Sequence, residues 1–257
     1  MNEQELINYY NKFNEDKRLK TRHGYVEFYT TMKYINEYLK NYDNPKIMDI
    51  GAGTGAYSIP LAEKYDVTAV ELVKHNLRVI EKNSEKVHAF QGNALDLSKF
   101  PDEYADVTLL FGPMYHLISM DEKLAALKEA KRITKKDGII FVAYIMDDYR
   151  LITHGFKEKN IKESKMQGLL SDDYHIVPKS NDLYSSLRLN EIDELNRLAN
   201  LKRIKIITPD GPSNYIRPYL NKLDDDEFAL FMEYHLKNCE RLDLMGAAAH
   251  TLDILKK

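Results

Sequence analysis

The spacing of apolar residues changes several times along the chain. Over residues 3–18 they fall at helical intervals, with Leu6, Tyr9, Tyr10 and Phe13 on one face, and over 25–41 the same interval recurs in Phe28, Met32, Ile35 and Leu39. From residue 46 short runs rich in branched and aromatic side chains take over. These predict strands at 46–50, 67–72, 87–91, 106–111, 138–144, 203–208 and 250–255. Between them, helical spacing predicts a helix of about ten residues after the first strand, then helices at 74–84, 121–134, 190–199 and 224–238. Strand and helix alternate, which predicts a doubly wound α/β sheet, mostly parallel, with helices on both faces. Between 147 and 186 the pattern lapses into mixed polar residues, so an insertion serving as a lid or binding loop is expected there.

The junction between the first strand and its helix reads Asp49-Ile50-Gly51-Ala52-Gly53-Thr54-Gly55-Ala56. Glycines at such a turn take backbone angles that other residues avoid and let a ligand approach the main chain, and the N–H groups beyond them are expected to face that ligand. Gly51, Gly53 and Ala56 satisfy the dinucleotide fingerprint, and Glu71 follows at a suitable distance. Two cofactor classes use this geometry, so the turn alone leaves both open.

In an open parallel sheet, ligands bind beyond the carboxyl ends of the strands, where the strand order reverses. The residues expected to meet there are Gly51 to Gly55, Glu71, Asn93-Ala94, and Phe111 through His116. Glu71 suits both hydroxyls of a ribose. Asn93 suits an adenine amino edge and the Ala94 N–H a ring nitrogen, with Leu72 and Leu95 flanking the base. Asp49 separates the two cofactor classes. A carboxylate beside the turn repels a pyrophosphate and favours a cation. S-adenosylmethionine carries an ammonium and a sulfonium and no phosphate.

On these residues the chain resembles the class I S-adenosylmethionine-dependent methyltransferases. Asp49 to Gly55 is similar to the family's first motif, Glu71 to the acid that closes the second strand, and Gly92-Asn93-Ala94 to the third motif, with Asn93 where Asp is common. Phe111-Gly112-Pro113-Met114-Tyr115-His116-Leu117 resembles the segment after the fourth strand in the branch that includes quinone-biosynthesis methyltransferases. The resemblance covers residues 45–146 well and the rest by element order. It implies a Rossmann-like seven-stranded sheet whose last strand is antiparallel and inserted beside the fifth. It also implies residues 1–44 as a helical cover and 45–257 as the cofactor-binding core, with the 147–186 insertion forming part of the acceptor pocket. The implied cofactor-binding set is Asp49, Gly51, Ala52, Gly53, Gly55, Glu71, Leu72, Asn93, Ala94, Leu95 and Phe111. Tyr10 and Arg22, with Tyr9 and His23, would cover the turn.

The implied reaction is in-line displacement of a methyl group onto an acceptor nucleophile, in which placement and water exclusion do much of the work. An oxygen or carbon acceptor also needs a proton removed, and His116 is the candidate base, with Tyr115 orienting the substrate or capping the sulfonium. Asp147, Asp148, Tyr149 and His175 are candidate acceptor contacts. Methyltransferases acting on amide or nucleobase nitrogen often carry Asn/Asp-Pro-Pro-Tyr/Phe after the fourth strand, and this chain has Phe-Gly-Pro-Met. That favours a small-molecule acceptor over nucleic acid, with a nucleic-acid or protein methyltransferase as the alternative.

Composition narrows the partners further. The net charge of −3 and pI near 6.3 lack the basic excess of a nucleic-acid binder, and the Lys128–Lys136 cluster reads as a solvated face. A single cysteine, Cys239, excludes an internal disulfide and a multi-cysteine zinc cage, and the histidines show no metal-ligand spacing. The first residues are polar and acidic, unlike a signal peptide, and no apolar run reaches membrane-spanning length, so a cytoplasmic protein is expected. Oligomeric state is not legible. Two other classes stay open at this point: a nicotinamide-dependent oxidoreductase, and a catalytically silent cofactor-binding module.

Overall fold

The alternation of apolar runs and amphipathic stretches folds into a seven-stranded sheet covered on both faces. The structure is a computed structural model and describes Leu19 and residues 21–257. The strands are β1 (Lys46–Ile50), β2 (Asp66–Glu71), β3 (Val87–Gln91), β4 (Ala105–Leu110), β5 (Thr134–Ile145), β6 (Lys202–Ile207) and β7 (His250–Lys256). Their order is β3-β2-β1-β4-β5-β7-β6. Strands β1 to β5 pair in parallel, while β7 runs antiparallel to both β5 and β6. The strand order reverses between β1 and β4, which places the crevice of an open α/β sheet beyond their carboxyl ends.

Alternation within each strand sends side chains into two apolar layers. Ile47, Val107, Leu109, Phe141 and Ile254 enter one layer, together with Tyr34, Ile35 and Leu39 of helix α1 (Arg22–Leu39). Met48, Leu110, Ile140 and Val142 enter the other, against Leu127 and Ile133 of a helix at Met120–Ile133 and Ile192 and Leu195 of one at Leu189–Ala199. Helix α1 therefore packs into the sheet as an integral layer, because its apolar stripe has nowhere else to be buried. The other helices, in chain order, are α2 (Ser58–Ala62), α3 (Lys74–Asn83), α4 (Pro113–His116), α5 (Met120–Ile133), α6 (Asp147–Arg150), α7 (Ile161–Met166), α8 (Leu189–Ala199), α9 (Arg217–Leu220) and α10 (Asp225–Asn238).

Three expectations need correction. Helix α2 has five residues where about ten were expected; turns occupy residues 51–57, and Gly53 and Gly55 hold positive φ there. The 147–186 stretch is not featureless: it contains α6, a π-helix at Leu151–Lys157, and α7. Its amphipathic spacing is hidden because a π turn holds more residues than an α turn. Strand β5 begins at Thr134, four residues before the apolar run, because backbone pairing with Ala105 extends it. The helix expected over 3–18, with Tyr9 and Tyr10, lies outside the described residues.

Two buried polar anchors fix elements that border the crevice. Asp253 of β7 receives both Arg203 Nε and Arg203 Nη2, at 2.7 and 2.8 Å, and Asn196 Nδ2 at 2.7 Å. Lys123 of α5 is buried and donates to the carbonyls of Met114 and Leu117 and, at 2.6 Å, to Ser185 Oγ. That ammonium straps the segment after β4 to the end of the insertion.

Candidate active site

The turn after β1 is built from commitments of its own backbone. Gly51 and Ala52 N–H both donate to the Val70 carbonyl, at 2.7 and 3.1 Å, and Gly55 N–H donates to Ala52 at 2.9 Å. Gly53 N–H donates to Glu71 Oε2 at 2.8 Å. These four N–H groups are thus spent on β2 and on the turn itself. Gly51 has φ +75°, and a Cβ there would collide with the ring of Pro113. Gly53, at φ +57°, meets nothing within 4 Å of a would-be Cβ. The first glycine is needed for packing against α4; the second leaves a gap in the wall that a side chain would fill.

Two acids flank this turn. Asp49 is buried and accepts from Ser58 Oγ at 2.5 Å. Burial pushes its carboxyl up to about 7, with the Ser58 bond opposing and Glu71 adding to the rise. Glu71 is also buried; burial raises its pKa, while the N–H groups of Val73 and Gly53 and the Asn76 amide pull it back. Its Oε1 accepts from Val73 N–H at 2.8 Å. A site with spent N–H donors and two buried acids repels phosphate and rewards a cation, because removing a carboxylate from water leaves it short of positive charge.

Both acids line a cavity of about 330 Å³, a size in the range of small-ligand sites. Its wall also holds Gly51, Ala52, Gly53, Leu72, Asn76, Asn93, Ala94 and Phe111. Tyr115, His116 and Tyr149 also reach the wall. Not every expected residue does. Leu95 is absent from the lining and packs against the core below, with its N–H donating to Asn93 Oδ1 at 3.0 Å. Gly55 is a turn residue against Ile59 and Ile80. Arg22 faces away, pairing with Asp225 at 2.8 Å and lying over the Phe228 ring. His23 is bonded to Asn221. Asp147 and His175 bond to each other at 3.0 Å, and Asp147 also holds Ser186, so they brace the insertion from within. Asp148 is not part of the wall either.

Several wall residues have no counterpart in the sequence reading. Glu27 and Thr31 reach in from α1, Tyr57 from the turn, Tyr184 from the insertion's end, and His250 from β7. Tyr57 meets Phe111 edge-on at 5.1 Å, and Tyr184 lies 4.9 Å from the His116 ring. Helical spacing placed Phe28, Met32 and Ile35 on the buried face of α1, but it gave no sign that Glu27, one residue earlier, turns toward the cavity. His116 donates its Nδ1–H to the Leu183 carbonyl at 2.8 Å, and burial lowers its conjugate acid to about 4. It is neutral at pH 7 and a weak proton acceptor.

Residues 48–142 match the family model described as a methyltransferase domain. That segment therefore carries the sequence pattern of a methyltransferase domain. The fold is similar to that of a SAM-dependent methyltransferase from Methanosarcina mazei, which superposes with a TM-score of 0.58 at 15% identity, over 87% of this chain and 96% of that one. Two curated relatives are similar in sequence over part of their length. A release factor glutamine methyltransferase of Buchnera aphidicola is 26% identical over 49% of this chain and 52% of its own. An rRNA adenine N-6-methyltransferase of Limosilactobacillus reuteri is 26% identical over 55% and 54%. The chain thus spans about half the length of these relatives, whose acceptors are a protein and an RNA. The matched segment ends before β5 is complete, so Tyr149, Tyr184 and His250 of the cavity wall lie beyond it. Among the described residues no helix is long and apolar enough to cross a membrane.

Proposed function

We propose that this protein binds S-adenosylmethionine in the cavity beyond β1 and β2 and transfers its methyl group to a small molecule. When bound, that cofactor supplies a methyl group already activated by the sulfonium charge. Every other contribution is assigned to the chain. Glu71 takes the ribose hydroxyls, Asn93 and Ala94 take the adenine edge, and Leu72 lies against the base. Asp49 faces the cationic end, and the gap beside Gly53 admits the ligand backbone.

The observation that carries this reading is the pairing of spent N–H donors with two buried acids in one cavity wall. A dinucleotide would need the opposite arrangement. The small-molecule acceptor is supported by the aromatic side chains Tyr115, Tyr149 and Tyr184, which wall the same cavity. An aromatic wall of this kind limits water near the transfer and holds the acceptor in line. Phe111-Gly112-Pro113-Met114 after β4, without the Pro-Pro pair of amide and nucleobase enzymes, supports it as well. The relatives acting on a protein and on an RNA define the second reading, a macromolecular acceptor.

Isothermal calorimetry tests the cofactor assignment. S-adenosylmethionine and its demethylated product are expected to give saturable heats, and NADH none. Heat with NADH alone would overturn the reading. The acceptor assignment is tested by competition: RNA or a peptide that displaces neither cofactor nor product, while small protic compounds are methylated, is the expected pattern.

A further inference from the structure

A histidine–carboxylate pair stands at the cavity wall, apart from the residues assigned to the cofactor above. Because β7 runs against β5, with Ile145 opposite His250, the first residue of β7 arrives at the carboxyl edge of the parallel strands. Strand β6 ends at the same edge and delivers Asp210 just beyond it. His250 Nδ1 lies 2.7 Å from Asp210 Oδ2. Asp210 is fully buried and held in place by three further donors: Asn214 Nδ2 at 2.8 Å, the His250 N–H at 3.2 Å and Thr208 Oγ1 at 3.4 Å. A carboxylate only accepts, so the shared hydrogen sits on Nδ1 and the lone pair of the ring is on Nε2. The ring lines the cavity, with its centroid 5.6 Å from that of Tyr115.

We infer that His250, oriented by Asp210, takes the proton from the reacting O–H or N–H group of the methyl acceptor. This rests on the methyltransferase reading above. The acceptor's lone pair forms the new bond to the methyl carbon as the carbon–sulfur bond breaks, and that bond's electron pair stays on sulfur, which becomes a neutral thioether. The acceptor's proton passes to His250 Nε2. The imidazolium so formed is opposed by two acids: Asp210, and Glu27 of α1, whose Oε2 is 3.9 Å from Nδ1. Tyr115 of α4 packs on the same ring, and Arg217 of α9 stands at the exposed rim. The proton then leaves to solvent with product. The Nδ1–H of His116 is given to a neutral carbonyl, that of Leu183. Asp210 is a positioning residue and His250 the catalytic one.

The test has an arm that needs no acceptor. In the full chain loaded with S-adenosylhomocysteine, histidine ¹⁵N NMR is expected to show His250 as the Nδ1–H tautomer with Nε2 unprotonated above its titration. Asp210→Asn should lower its pKa and mix the tautomers. A fixed Nε2–H tautomer in the parent would overturn the proposal. In turnover, with tyramine and catechol as protic probes, His250→Gln is expected to lower kcat by roughly 10²-fold or more at unchanged cofactor Kd, and to remove the acidic limb of the pH profile. Imidazole added to His250→Gly should restore part of the rate. Unchanged kcat in His250→Gln defeats the proposal, as does turnover that a chelator abolishes and divalent metal restores, because the Glu27–Asp210–His250 group would then be a metal site. If neither probe is methylated, the NMR arm decides alone. Failure of the parent to bind S-adenosylmethionine defeats the methyltransferase reading instead, whatever the tautomer.

Discussion

Glu71 shows how one side chain serves two structures. Its Oε2 closes the glycine turn through Gly53 N–H, and its Oε1 holds the start of α3 through Val73 N–H. Glu71→Ala is expected to weaken S-adenosylmethionine binding by about 1–3 kcal/mol, the scale of a lost charged hydrogen bond, as read by calorimetry. Asp49 adds a pH dependence. Its folded carboxyl keeps a proton up to about 7, whereas an unfolded aspartate releases it near ~3.9. The folded state therefore binds the extra proton in that window. Stability from this group is present below the window and is lost as pH rises through 7. Cation binding draws the other way and favours the ionised form. Affinity for S-adenosylmethionine should rise by up to about tenfold per pH unit as pH approaches 7, and Asp49→Asn should abolish that slope. The turn and its two acids are legible in the sequence because all lie within a single β-turn-α-β unit. His250 and Asp210 are not, since 40 residues separate them and only the insertion of β7 between β5 and β6 brings them together.

Among the elements, the strap after β4 is the one whose geometry depends on a distant side chain. Helix α5 begins at a capping box, Ser119 with Glu122, and one turn in presents Lys123 to the carbonyls of Met114 and Leu117. Burial lowers the Lys123 pKa to about 8, with Glu122 and Glu191 opposing the fall and Arg150 adding to it, so the ammonium still prevails at neutral pH. Lys123→Ala takes its donor from the Met114 carbonyl and from Ser185 Oγ, while the Leu117 carbonyl keeps the Ser185 hydroxyl. The expected loss is about 1–3 kcal/mol for each buried group left unsatisfied, measured by urea denaturation. Because Tyr115 and His116 ride on the same strap, the variant should also raise KM for any acceptor more than it changes cofactor Kd. The spacing of α5 is readable in the sequence. Its inward lysine is not, since lysine at a helical interval ordinarily marks a solvated face.

For the whole molecule, the cavity joins α1, the turn after β1, the strap after β4, the insertion's end and the start of β7. Ligand binding therefore stabilises segments from across the chain together. At about 100 times Kd, S-adenosylhomocysteine should add roughly 2.7 kcal/mol and raise Tm by about 5–10 °C, seen by differential scanning calorimetry. The sequence predicts the number of strands and their mostly parallel order because each strand is a separate apolar run. The antiparallel place of β7 rests on family resemblance alone, since periodicity carries no direction.

The position of β7 also bears on synthesis. The ribosome makes β6 well before β7, yet β6 touches the sheet only through β7. Until residues 250–256 emerge, β6 has no backbone partner, Asp253 is not there to meet Arg203, and the cavity lacks a wall. Closure of the sheet edge and completion of the cavity wall thus wait together on the synthesis of β7.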